Sequence, residues 1–532
     1  MLLKRVLLIL VFSAIFLLGL ALRSPEIISK NYLFGFDQGQ NYMRAYDIAV
    51  NHKFTLIGAE VGSGSAGVPG LFHGPGFYYL LAIMLLFFKG DPYGGLVLMW
   101  TGGVLAMVLS YITARKMFGE RAALLVLFLI SAAPSIAPQS RFVWGPHLAS
   151  IFMVWVFYLL YKIPEKPVRY TFFAAFLAGI LYNFELALSV PLVALTFISL
   201  FFYRVWSKKV FLSFLVALVL AFSPMILFEA RHGFMAISGI LTNVTQKKSA
   251  SSQLFIQQKT QQFVSNYRDS FNFEFGIIPP RWYNQTLIVL ALIMIGSIAA
   301  LGDKRTKRFF LLLSLTIPIT FLIFLPLKGN IWPYYLIHLH FIYIYALAVA
   351  TALLSRYLRN PAFLLIVFFY LSIFQGALKR VQMDWIIDFP DYGGKEKILG
   401  KQAAIDYIYA DAKGAPFNVF VFMPPVYTWP YDYLFLTYGK EKYGYMPGTE
   451  KKEPRILSSK QIGKSRGVIK KGGLRMLSKM VRSFGSAIFP YQIKSSKNVS
   501  SIELDPPRVI KFHVLARWRS GNAGVCKTPM RR

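Results

Sequence analysis

Eleven blocks of apolar residues, most of them near the roughly 20 residues that cross about 30 Å of hydrocarbon, make lipid the solvent of this chain. They run near Val6–Leu22, Gly94–Ala114, Ala122–Ala137, His147–Tyr161, Tyr170–Asn183, Leu186–Tyr203, Val210–Phe228, Leu287–Leu301, Phe309–Leu327, Tyr334–Ser355 and Ala362–Leu378. With 55% hydrophobic residues and a mean hydropathy of +0.49 over 532 residues, an ordinary soluble globular protein is excluded. One further apolar stretch, Phe77–Phe88, is too short for a full crossing and fits an interfacial or re-entrant helix. Lys4 and Arg5 precede the first block as in a signal peptide. The block extends to Leu22 with no small-x-small cleavage site, so it reads as a retained span.

Loop charge gives an independent test of this count. If Phe77–Phe88 does not cross, the basic loops Arg115–Arg121, Lys162–Arg169, Arg204–Lys209, Lys304–Arg308 and Arg356–Arg359 all share one side with Lys4 and Arg5. The positive-inside rule makes that side cytoplasmic. The expectation is therefore an all-α polytopic protein of the plasma membrane with about 11 transmembrane helices, its N-terminus inside and its C-terminus outside. Arg23–Tyr93, Ala230–Asn284 and everything after Lys379 then lie outside, with interfacial helices in the first of these loops. The net charge of +34 orients helices on this reading, and nucleic acid is not an expected partner. A single cysteine, Cys526, excludes an internal disulfide framework and any CxxC motif.

Past Arg380 the chain changes character. Residues 381–449 read as a small soluble α/β appendage, with a helix near Ile405–Ala410 and a buried strand at Asn418–Met423. Residues 450–532 change again: from Lys451 onward, 20 of the chain's 58 basic residues stand against 3 acidic ones with little apolar periodicity. That tail reads as disordered, or as a shifted reading frame. Sequencing the source DNA separates the two, and one intact frame would remove the second.

The first outside loop carries the chemistry-bearing residues. Phe34-Gly35-Phe36-Asp37-Gln38-Gly39-Gln40 opens an amphipathic stretch, a Gly/Ser/Pro-rich linker follows, and His73-Gly74-Pro75-Gly76-Phe77-Tyr78-Tyr79 closes it. An acidic residue just after a first span, heading a membrane-surface helix, sits where a general base meets both a lipid-borne leaving group and an aqueous acceptor. Its bland alternative is a helix cap.

This arrangement, an acidic residue after the first span and His-x-Pro with a Tyr-rich helix some forty residues on, resembles the GT-C superfamily of integral membrane glycosyltransferases. The likeness is to the branch of dolichyl-phosphate-mannose protein mannosyltransferases and the bacterial enzyme that adds aminoarabinose to lipid A. Segments Ala114–Gly119, Ser140–Pro146, Phe228–Phe234 and Lys328–Tyr335 agree in order and sidedness, and the resemblance covers residues 1–380, the transmembrane domain. It implies transfer of a sugar, with inversion, from a polyprenyl-phosphate donor to an extracytoplasmic protein, lipid or glycan acceptor.

On that resemblance Asp37 is the catalytic base, and Lys328 is the first choice to bind the donor phosphate, against a bland role as a snorkelling lysine. Arg231 and His232 are further phosphate candidates. His73, Tyr78, Glu185 and Tyr335 line the substrate cavity, although Tyr334, Tyr335, Trp332 and Trp144 also suit an interfacial aromatic belt. Several relatives pair two acidic residues where this chain has Asp37-Gln38, so no tightly bound metal or other cofactor is expected. A flippase or transporter of lipid-linked saccharides is the rival reading, but neither internal symmetry nor mid-membrane charge stands out. A non-catalytic scaffold would leave the first loop unexplained.

Overall fold

The computed structural model describes residues 2–448, apart from 63–67, 69, 246–251, 271–276, 328, 358–360, 388, 390–396 and 423–427, together with residues 509–513. It divides into two compact units, Met1–Ala404 with Trp429–Tyr438, and Ile405–Thr428 with Gly439–Arg532.

The first unit is helical. Its first three elements after α1 (Leu2–Ala21) are α2 (Pro25–Ser29), α3 (Phe36–Ala49) and α4 (Gly76–Phe87). Then come α5 (Tyr93–Phe118), α6 (Glu120–Ala132), α7 (Gly145–Lys162), α8 (Pro167–Ile180) and α9 (Leu186–Phe202). A broken pair follows, α10 (Lys208–Ala221) and α11 (Ser223–Arg231), then α12 (Met235–Thr245) and α13 (Ser252–Ser270). The last are α14 (Tyr283–Leu301), α15 (Lys304–Ser314), α16 (Thr316–Phe324), α17 (Ile337–Leu354) and α18 (Pro361–Gln382).

Among the described residues six helices are long and apolar enough to cross a membrane, or seven if the bent pair α10 and α11 is one span. The chain is a multi-pass membrane protein. The eleven expected crossings are not reached by length and composition, for a local reason. Block length in sequence does not register helix breaks: Ser223-Pro224 splits the block Val210–Phe228 with a bend of 67°, because proline cannot donate into the preceding turn. The block Tyr170–Asn183 yields the 14-residue α8, about 21 Å long at 1.5 Å per residue. The block Phe77–Phe88 folds as α4, a 12-residue helix short of a crossing, as expected.

Burial sorts the helices. α1 is exposed along nearly its whole length, whereas α17 is buried on every face; a helix apolar all round belongs in a core. Interhelical hydrogen bonds tie the polar groups of α17 to its neighbours: His338 Nε2 lies 2.8 Å from Thr320 Oγ1, and Tyr345 Oη lies 3.1 Å from Thr113 Oγ1. Bonds of this kind contribute about 0.6–2 kcal/mol in a membrane. The buried Arg23 joins two helix ends, donating to Gly19 O at 3.0 Å, Ser131 O at 3.1 Å and Ile130 O at 2.7 Å. A cation set against the last carbonyls of α1 and α6 complements both helix dipoles.

The short helix α20 (Trp429–Leu434) belongs to this unit and packs on α3. Tyr433 donates to Gly90 O at 2.7 Å, and its ring meets Tyr42 at 5.3 Å. Gly39 is required here, since any Cβ on it would collide with the backbone of Trp429 and Pro430.

Helix α19 (Ile398–Ala412) leads from the first unit into the second, covering the helix expected at Ile405–Ala410. In the second unit, β1 (Asn418–Phe422) falls where a strand was expected and pairs in parallel with β2 (Val509–His513), Asn418 opposite Val509 and Phe422 opposite His513. Apart from β2, the tail expected to be disordered or out of frame lies outside the described residues.

Candidate active site

Asp37 stands in the first turn of α3. Gln38 fixes that turn in two directions at once: its Oε1 accepts from Gly35 N–H at 2.9 Å and its Nε2 donates to Val143 O at 2.9 Å. A neutral amide can do both, whereas an ionised carboxylate only accepts. This is a physical reason for glutamine at the position where several relatives carry a second acid.

Asp37 is accessible, yet the protein crowded around it desolvates its carboxyl and holds it above the usual carboxylate range. The combination describes a carboxyl reachable from solvent and crowded by protein on its other sides. Tyr78, buried on α4, lies within electrostatic reach of Asp37 and of Arg44, and burial pushes its hydroxyl up to about 12. Arg44 is seven residues beyond Asp37 on α3, two turns along the same face. Sequence reasoning passed it over, although the spacing of seven was there to be read.

The His73–Gly76 loop docks on the break between α8 and α9. Gly74 N–H donates to Tyr182 O at 3.0 Å, Gly76 N–H to Asn183 Oδ1 at 2.9 Å, and Leu186 N–H to His73 Nδ1 at 3.2 Å. With Nδ1 accepting, the ring proton sits on Nε2. Burial drives the ring down to about 4, so His73 is neutral at neutral pH. Next to it, the buried Glu185 caps α9, its Oε1 accepting from Ala187 N–H at 3.1 Å. Burial pushes this carboxyl up to about 8, with the Ala187 bond acting against it, which favours its neutral form at neutral pH.

An aromatic wall lies within electrostatic reach of both acids. Trp144 meets Tyr334 edge-on at 4.5 Å, Tyr334 meets Tyr335 at 4.6 Å, and Tyr335 stacks on Phe324 at 5.4 Å. Tyr334 lies within electrostatic reach of both Asp37 and Glu185, and Tyr335 within reach of Glu185. The fold therefore gathers Asp37, Tyr78, Glu185 and Tyr335 with His73 beside Glu185. Trp144 and Tyr334, read from sequence as belt residues, belong to the same wall.

The expected phosphate partners fare differently. Lys328 lies outside the described residues. The chain on either side is anchored: Leu327 packs against the cluster of Val68, Leu71 and Ala236, and Gly329 O accepts from Lys259 of α13. Arg231 and His232 are exposed at the end of α11, where the His232 ring stacks on Phe228 at 4.1 Å; among the described residues no contact joins either to the Asp37 group. Among the described residues no three His, Cys, Asp or Glu side chains are grouped to hold a metal ion.

No protein-family model matches the chain, and no curated protein sequence does. Among solved structures, it is similar to ArnT from Cupriavidus metallidurans bound to undecaprenyl phosphate, with a TM-score of 0.50 and 12% identity over 84% of this chain and 89% of that one. The Archaeoglobus fulgidus oligosaccharyltransferase in complex with Zn and sulfate gives a TM-score of 0.45 and 14% identity over 83% of this chain and 62% of the other. The resemblance read from the motifs thus extends to architecture, and the chain shares the fold of ArnT.

Proposed function

We propose that this chain is a membrane glycosyltransferase that moves a sugar from a polyprenyl-phosphate donor to an extracytoplasmic protein, lipid or glycan acceptor with inversion. The observation that supports the reading is an accessible Asp37 crowded by protein and a buried Glu185, with Tyr334 within electrostatic reach of both. The ArnT structure of like fold holds undecaprenyl phosphate, which supports a lipid-phosphate donor here. In the proposed reaction Asp37 takes the proton of an acceptor hydroxyl as its oxygen attacks the anomeric carbon. The bond from that carbon to the phosphate oxygen breaks, and its electron pair leaves with polyprenyl phosphate. Arg44 and Lys328 are the cations proposed to stabilise the leaving phosphate, and Glu185 and His73 donate hydrogen bonds as neutral groups. No tightly bound metal takes part in the proposed step.

The test is transfer in detergent from radiolabelled undecaprenyl-phosphate hexoses and pentoses. Wild type is expected to transfer with a chelator present, and Asp37→Asn to lose about 10²–10⁴ in kcat. Lipid translocation without sugar transfer, unaffected by Asp37→Asn, would establish the flippase instead; loss of transfer in the chelator would put a metal in the step.

We also propose eleven crossings of the plasma membrane with the cytoplasmic N-terminus and extracytoplasmic first loop described above. A Cys526→Ser background allows single cysteines to be placed at His52 and Arg204. An impermeant thiol reagent is expected to reach the first in intact cells and not the second, and the reverse pattern would invert the model.

A further inference from the structure

Arg141 lies outside the groups assigned so far, yet two carboxylates clamp it. Its Nε meets Glu26 Oε2 at 2.7 Å, and one terminal nitrogen meets Asp384 Oδ2 at 2.6 Å. Glu26 Oε1 in turn lies 3.4 Å from Lys397 Nζ. The four side chains are largely buried and sum to zero charge. They come from α2, from the stretch before α7, from the wide π turn Met383–Ile387 and from the residue ahead of α19.

The stretch Arg141–Trp144 is neither helix nor strand, so side chains and single hydrogen bonds must fix it. Val143 O holds Gln38, the residue next to Asp37. The Trp144 ring holds Tyr334. The third anchor is the Arg141 guanidinium, whose rigid planar fork fixes the direction of two carboxylates where a lysine ammonium is a freely rotating point charge. A buried ion network of this kind is weak evidence for added stability, because desolvation offsets the attraction. Its geometric effect is certain, since it ties four distant parts of the chain to one point.

We infer that Arg141 is a positioning residue: clamped between Glu26 and Asp384, it holds Val143 and Trp144 where they set the Asp37 turn and the aromatic wall. The inference rests on the proposed function only for the meaning of the site it positions, so its test begins with a readout that needs no substrate. Hydrogen exchange of the full-length protein in detergent is measured for wild type, Asp384→Asn, Asp384→Glu and Arg141→Lys. In Asp384→Asn and Arg141→Lys the amides of residues 34–41 and 142–147 are expected to exchange about tenfold faster through local opening, with α8 and α10 unchanged. Asp384→Glu is expected to recover most of the protection.

Unchanged exchange in both segments, or a uniform rise throughout the protein, would overturn the inference. In the transfer assay the same variants are expected to lose kcat per folded molecule about tenfold, with KM for the donor little changed, because Asp37 and not donor contacts is displaced. A loss confined to folded yield would also overturn it. A wild-type protein that transfers no sugar would sink the enzymatic reading and leave the exchange result to decide this one.

Discussion

Asp37 and Glu185 are the same chemical group at nearly the same place on a helix, one in the first turn of α3 and the other at the cap of α9. Their surroundings differ. Asp37 is exposed and accepts no hydrogen bond that would anchor it within the described structure, while Glu185 is buried and bonded to its own helix. Burial raises both, but Glu185 as far as about 8. In the proposed reaction, two acids whose environments separate their titrations divide the labour of a base and a donor. Position on a helix therefore does not set how a carboxyl titrates; its surroundings do.

The comparison breaks most visibly at Asp37, where Asn keeps the shape and removes the base. Next in size is the pH profile of kcat/KM. Transfer is expected to rise with pH as Asp37 loses its proton, above the usual carboxylate range, and to fall again as Glu185 ionises near pH 8. Glu185→Gln, which stays a neutral donor at every pH, is expected to keep activity within about tenfold and to remove the alkaline limb. An alkaline limb that persists in Glu185→Gln would assign that limb to another group. Smallest is Gln38→Glu: a carboxylate cannot donate to Val143 O, and leaving that carbonyl unpaired costs about 1–3 kcal/mol. The variant restores the paired acids of several relatives, yet it is expected to lower both transfer and thermal stability. Higher transfer would show that the second acid matters more than the turn.

Part of this was legible in the sequence. Asp37 after the first span, His73-Gly74-Pro75-Gly76 before a tyrosine-rich helix, and Glu185 between two apolar blocks can all be read from local pattern, and the fold gathers them. What stayed hidden depends on pairings across long separations. His73 meets Leu186 across 113 residues and Gln38 meets Val143 across 105, and periodicity carries no signal for either. Arg141 read as one residue of a motif, because its partners Glu26 and Asp384 lie 115 and 243 residues away. The count of eleven crossings is not reached by helix length and composition for the opposite reason: the break at Ser223-Pro224 interrupts an apolar block that composition reads as continuous.

The central claim, that Asp37 is the base of a sugar transfer, is tested most directly by a single turnover. Enzyme is saturated with radiolabelled undecaprenyl-phosphate sugar, acceptor is added, and donor binding and sugar release are measured separately for wild type and Asp37→Asn. The expected result is equal donor binding with release slowed about 10²–10⁴-fold in the variant. Release at the wild-type rate from Asp37→Asn, or a loss explained wholly by failed donor binding, would contradict it.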